Sequence, residues 1–259
     1  MCAQAAKKTA RKKSAAQSEA KAPAVPYLRE AGMKFLRDLK RNNRREWFEA
    51  RRDLYEQELK QPMLALIERL TSGMMDYAPG HIRPAHKSLF RIYRDTRFSS
   101  DKTPYKTHVA AWWSRDGLEK VSGGGYYVQI SQESVLIAAG VYLPQKEQLF
   151  AIRTHLLTHH ERFRELIEDK KLRRSLDVYE SLPLTRSPKG FPAEHPGLEW
   201  IRWRQWGVAV ELPAAAAFEP NLSKVIEKHF RLATPLVDFL NEPLLAAAQP
   251  KRKPLFGFS

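Results

Sequence analysis

Residues 91–106 read RIYRDTRFSSDKTPYK and crowd Arg91, Arg94, Arg97, Lys102 and Lys106 together with Asp95, Asp101, Tyr93 and Tyr105. Converging guanidinium and ammonium groups suit a phosphate, a carboxylate or a nucleic-acid backbone, because the arginine fork meets two oxygens at once. Arg91, Arg94, Arg97, Lys102 and Lys106 are therefore the candidate ligand-binding residues. Asp95, Asp101 and Tyr105 are the candidates for acid or base work; the two aspartates could also hold Mg²⁺ beside a phosphate, but the density of arginine around them favours salt-bridge pairing.

Periodicity gives these residues a predicted scaffold. Residues 89–98 alternate, with Phe90, Ile92 and Phe98 on one face and Arg91, Tyr93, Asp95 and Arg97 on the other, which predicts a strand. Arg94 falls on the apolar side between Ile92 and Thr96, where a buried guanidinium needs a carboxylate, a carbonyl or a ligand anion. Ser99-Ser100-Asp101 breaks the strand, and Pro104 pre-sets a turn expected to project Tyr105 and Lys106.

Other constellations carry less chemistry. His155 and His159 stand four apart on a predicted helix, but no third ligand is fixed by spacing and the HExxH order is absent, so no metal is expected. Gly123-Gly124-Gly125 lacks the lysine and helix start of a phosphate loop. No serine sits in a nucleophile elbow and the lone cysteine is Cys2, so covalent catalysis has no visible nucleophile. A single cysteine also excludes an internal disulfide. Trp200, Trp203 and Trp206 could stack bases, yet their spacing beside Ile201 and an apolar strand favours a core role, as does the apolar stripe carrying Trp47 and Phe48. No cofactor is indicated.

The elements that must position these residues follow from the pattern. Met33, Phe35, Leu36 and Leu39 predict a helix that Asn42-Asn43 stops. Asn43 with Glu46 reads as a capping box for the next helix, which Pro62 should kink or divide. Residues 107–113, 126–131 and 134–142 read as strands, the last two joined tightly enough for a hairpin. A helix is expected from Pro144 to about Asp169, with Leu149, Ile152, Leu156, His159 or His160, Phe163 and Ile167 on its buried side. Residues 181–197 form a Pro/Gly/Ser-rich excursion, 207–212 a further strand, and a last helix, bent at Pro235, runs to about Leu240. Short connections imply antiparallel pairing. The expected fold is α+β, an antiparallel sheet flanked by helices in one compact domain over residues 27–245.

Residues 1–26 carry six Lys or Arg against Glu19, and residues 246–259 contain Lys251-Arg252-Lys253 between prolines. Both read as disordered basic tails, able to attract nucleic acid without specificity or serving only as solvated ends. The net charge of +15 points the same way, and no run of about 18 apolar residues spans a membrane. The N-terminus has no apolar stretch of signal-peptide type, which makes the cytoplasm the expected location.

The run RIYRDTRFSSDKTPYKTH, preceded by FLRDLKRNNRREWFEARRDLYE and followed by GGGYYVQIS and PLVDFLNE, resembles a widespread bacterial and fungal family known as a domain of unknown function. The resemblance covers about residues 30–242. It implies one compact domain and assigns no activity. Three functions stay open: a binder of a small phosphorylated or carboxylated ligand, with or without catalysis; a nucleic-acid-associated module; and a partner-binding domain whose Arg/Asp motif is an internal ion-pair network.

Overall fold

The computed structural model describes residues 27–118, 123–179 and 183–248. The expected tails lie outside the described residues, apart from the end of the last helix, which continues to Ala248.

Five strands form one sheet: β1 (His108–Ser114), β2 (Gly125–Ser131), β3 (Ser134–Val141), β4 (Asp177–Val178) and β5 (Trp206–Pro213). Their order is β1-β2-β3-β5-β4 and every pairing is antiparallel, as the short connections require. The helices are α1 (Glu30–Arg41), α2 (Arg45–Glu49), α3 (Arg52–Tyr55), α4 (Gln61–Met74), α5 (Ala85–Ser88), α6 (Lys146–Glu168), α7 (Lys170–Arg173), α8 (Leu198–Ile201) and α9 (Leu222–Ala248). The protein is thus α+β. Pro62 does not divide the second helical stretch: it stands just after a π turn at Glu56–Lys60, and Tyr55, Glu56, Lys60 and Gln61 all keep helical dihedrals, so the helix runs on from Arg52 to Met74.

Alternation along the strands creates two unlike faces. Val109, Ala111 and Trp113 of β1, Tyr126, Val128 and Ile130 of β2, Val135 and Ile137 of β3, and Trp206 and Val208 of β5 point into the main core. There α9 packs on β3 and β5, and α4 on β1. Phe230 of α9 meets Trp113 and Tyr126 at ring-centroid distances of 5.6 and 5.0 Å. Asn241 of α9 closes the far end, accepting from Gly124 N at 2.8 Å and donating to Gly124 O at 3.2 Å. Trp200, Trp203 and Trp206 are all buried and two of them meet Phe163, which gives them the core role their spacing favoured.

Three other local expectations need correction. Residues 89–98 are not a strand; only isolated bridges, Leu89 with Ala111 and Tyr93 with Tyr105, interrupt a loop. Asn43 does not cap α2, which has Arg44 at its N-cap and no side-chain cap bond. In α6 the buried side holds Ile152, Leu156, Phe163 and Ile167, while His159 is exposed at a kink and His160 is only half-buried.

Candidate functional site

The arginine motif is a loop folded back on its own base. Arg94 N donates to Pro104 O at 2.9 Å and Lys106 N to Ile92 O at 2.7 Å, so two short rungs close it. Ile92 and Tyr105 are buried beneath those rungs. Asn43, at the end of α1, clasps the loop from outside: its Nδ2 donates to Tyr105 O at 2.8 Å, and its Oδ1 accepts from Tyr105 N at 3.0 Å. The Tyr105 ring stacks on Phe48 with centroids 4.2 Å apart and planes 19° from parallel. The turn at Pro104 therefore drives Tyr105 inward, where the sequence pattern had it projecting; burial raises its phenol pKa.

The charges of the motif are mostly satisfied within it. Arg94 donates to Asp101 and Thr103. Arg97 grips Asp95 through two bonds, Nη2 to Oδ2 at 2.7 Å and Nε to Oδ1 at 3.0 Å. Lys102 Nζ caps the Thr96 carbonyl at 2.9 Å, and Lys106 Nζ reaches the Arg91 carbonyl at 3.0 Å. Arg91 itself is exposed. Hydrogen bonds from Arg97 hold Asp95 at about 2, and those from Arg94 and the Thr103 amide hold Asp101 at about 2. Carboxyls so acidic are poor proton carriers near neutral pH. At the tip of the loop Phe98 is 94% exposed beside Arg97.

Beside this loop, on the sheet face turned away from the helices, lies a cavity of about 830 Å³. Its form follows from strand register, since directly paired residues share a face. One row across the sheet runs Trp112, Tyr127, Ala138, Ala209; the next runs Ser114, Gly125, Gly140, Gly207. Large rings on β1 and β2 thus stand beside a floor of Ala and Gly on β3 and β5. The opposite wall comes from the chain after β3 and around β4, with Tyr142, Leu143, Tyr179 and Gln205. Gly207 is required here: a Cβ on it would collide with the Tyr179 hydroxyl and the Ala139 carbonyl. Gly140 has φ of +139° and no room for a side chain against Trp206 and Gly207.

Polar groups in the cavity are few. Tyr127 Oη donates to Gln129 Oε1 at 2.8 Å. Burial pushes the His108 imidazole down to about 4, with the Lys106 charge adding to the effect, so it is neutral at physiological pH. Trp112 is 6% exposed and its indole N–H has no hydrogen-bond partner. Lys106 is the one Lys or Arg among the described residues lining the cavity, and none of the lining residues is Asp or Glu. Lys106 also lies over the Phe90 ring at 5.0 Å, so it joins the motif to the cavity. Of the candidates taken from the motif, Lys106 alone borders the cavity; Arg91, Arg94, Arg97, Lys102, Asp95, Asp101 and Tyr105 do not. The cavity itself was not anticipated. Its available signal was the apolar character of both faces of β3 in an antiparallel sheet, where one face is commonly polar.

The His155 and His159 rings stack at 4.2 Å, with Glu242 3.3 Å from His155 Nε2. Among the described residues, no three His, Cys, Asp or Glu side chains gather as a metal site. No helix of the described residues is long and apolar enough to cross a membrane.

A helix-backed antiparallel sheet with a lined cavity on its other face defines the class, a single α+β domain with a small-molecule-sized hollow. The chain belongs to the conserved hypothetical protein family DUF2461, which it matches over residues 31–239. No curated protein matches it significantly.

Proposed function

We propose that the protein binds a small carboxylate- or phosphate-bearing ligand in the sheet-face cavity, with Lys106 facing the anionic end. The observation that carries this reading is the cavity itself: 830 Å³ lies within the range of small-molecule sites, and among the described residues its lining carries charge of one sign. An anion entering it meets an ammonium and a neutral imidazole, and no described lining residue is a carboxylate. Arg94, Arg97 and Lys102 contribute by stiffening the loop that presents Lys106, and Arg91 adds positive field beside it. The reading is one of binding and commits to no chemical step.

The test is a thermal-shift screen of the full chain against small organic carboxylates and phosphate esters, run beside Lys106→Met. A ligand at a hundred times its Kd should add about 2.7 kcal/mol of stability. A shift that disappears in the variant while its unliganded Tm holds supports the assignment. A shift of equal size in both proteins sinks it.

A second reading, association with nucleic acid, is favoured by Phe98. A ring 94% exposed at the tip of a braced, cationic loop offers a base a stacking surface, and the net charge of +15 attracts phosphate. Binding of a single-stranded oligonucleotide should then weaken with a log–log salt slope of about −0.7 per phosphate contacted. Phe98→Ala should cost about 1–3 kcal/mol of affinity if one base stacks there. Unchanged affinity in that variant removes the loop from the interface.

A further inference from the structure

We infer that the cavity takes a planar aromatic compound carrying an anionic group, a ligand class that rests on the proposed reading and sharpens it. The floor is two strands wide, β3 and β5, and is paved with Ala138, Gly140 and Ala209. Strands about 4.8 Å apart carrying methyl groups or hydrogens at these positions make a flat surface, which Leu136, the next residue of β3 on the same face, bounds at one end. Rings stand on both sides of that floor, Trp112 and Tyr127 on one and Tyr179 on the other. Aromatic side chains offer faces and edges that a flat ring can meet in offset or edge-on packing.

One further observation points to a ring bearing an anionic substituent. Among the described residues the lining carries a single ammonium, that of Lys106, and no carboxylate, which matches a monoanion attached to the ring edge. A flexible acyl chain would lose rotor entropy on such a flat floor and find no enclosing tunnel. A rigid ring avoids that cost.

The experiment is calorimetric titration of the full chain with three probes, 2-naphthoate, decanoate and inorganic phosphate. It is run on the native protein, on Ala138→Leu, on Ala209→Val as a milder filling of the same floor, and on Lys106→Met, each checked for an unchanged circular-dichroism spectrum. The expected result is 2-naphthoate binding at least tenfold tighter than decanoate, phosphate weaker than either, and naphthoate affinity falling at least tenfold in Ala138→Leu. Decanoate binding as tightly as naphthoate overturns the planar class while leaving the anionic reading intact, provided Lys106→Met weakens both acids. Naphthoate affinity unchanged in both floor variants overturns the inference outright. Unchanged affinity in Lys106→Met, with a loss in the floor variants, sinks the anionic reading and leaves an aromatic site. No heat with either acid at millimolar concentration refutes both.

Discussion

The arginine-rich loop and the sheet-face cavity lie side by side and are opposites. The loop is dense in charge, and Arg94, Arg97, Lys102 and Lys106 are each bonded to a group of the loop itself. The cavity is nearly devoid of charge and has room. In sequence the loop attracts attention because of its residue types, yet those types are consumed in holding its own shape. The cavity is walled by aromatic rings and floored by alanine and glycine, which announce nothing singly and are brought together only through register. Room for a ligand here follows unfilled space and not density of charge.

That contrast can be broken at the loop's base. If the loop is held by packing and the Asn43 clasp, Phe48→Ala, which removes the ring stacked on Tyr105, should cost about 3–5 kcal/mol in urea unfolding. A loss well below that would mean that the buried base contributes little and that the ion pairs alone hold the loop in shape.

Acid titration sharpens the contrast, because the two regions lose stability in different windows. His108, in the cavity, has its folded pKa lowered from 6.5 to about 4, chiefly by burial. The unfolded chain then binds its proton more readily, so its contribution is complete above pH 6.5 and withdrawn as pH falls toward 4. After allowance for its partial exposure this is on the order of 2 kcal/mol. Asp95 and Asp101, in the loop, are lowered from 3.8 to about 2 by their arginine hydrogen bonds, so their contribution is present above pH 4 and disappears between about pH 4 and 2. Being exposed, they should produce a smaller step than His108. Urea midpoints measured from pH 7 to 2.5 should show the larger loss first; His81, in the main core, is likewise pushed down to about 4 by burial and loses stability in the same window, so His108→Gln should remove only the part that belongs to the cavity. A single step centred below pH 4 in the native protein would contradict the buried, neutral state of His108.

Much of the fold was legible before the structure. The strands at 107–113, 126–131, 134–142 and 207–212, their antiparallel pairing and the helix after Pro144 follow from period and punctuation and lie within a residue or two of their observed places, whereas the last helix runs eight residues past its expected end, to Ala248. Two readings failed for instructive physical reasons. Residues 89–98 have a true period of two, but the pairing that justifies it is a self-closure between Tyr93 and Tyr105, too short for a strand. The spacing of Asn43 and Glu46 imitates a capping box, yet the Asn43 amide can satisfy both backbone groups of Tyr105, a partner 62 residues away that no local pattern reveals. Lys106 was legible as a residue of the motif but not as a cavity neighbour; it borders the cavity because it is the point where the loop rejoins β1. The floor was not legible, since cross-strand alignment of Ala138 with Ala209 and of Gly140 with Gly207 depends on pairing two strands some 70 residues apart.

That separation has an evolutionary consequence. The cavity's floor and its aromatic wall at Trp112 and Tyr127 belong to the helix-backed sheet, whereas Tyr142, Leu143, Tyr179 and Gln205 come from the long excursion between β3 and β5. Changes of length or residue in the parts of that excursion outside α6 and α8 would redraw one side of the cavity while the body of the domain stays as it is. The shape of the cavity can therefore drift among relatives without a matching drift in architecture, with half of its wall inherited and half improvised.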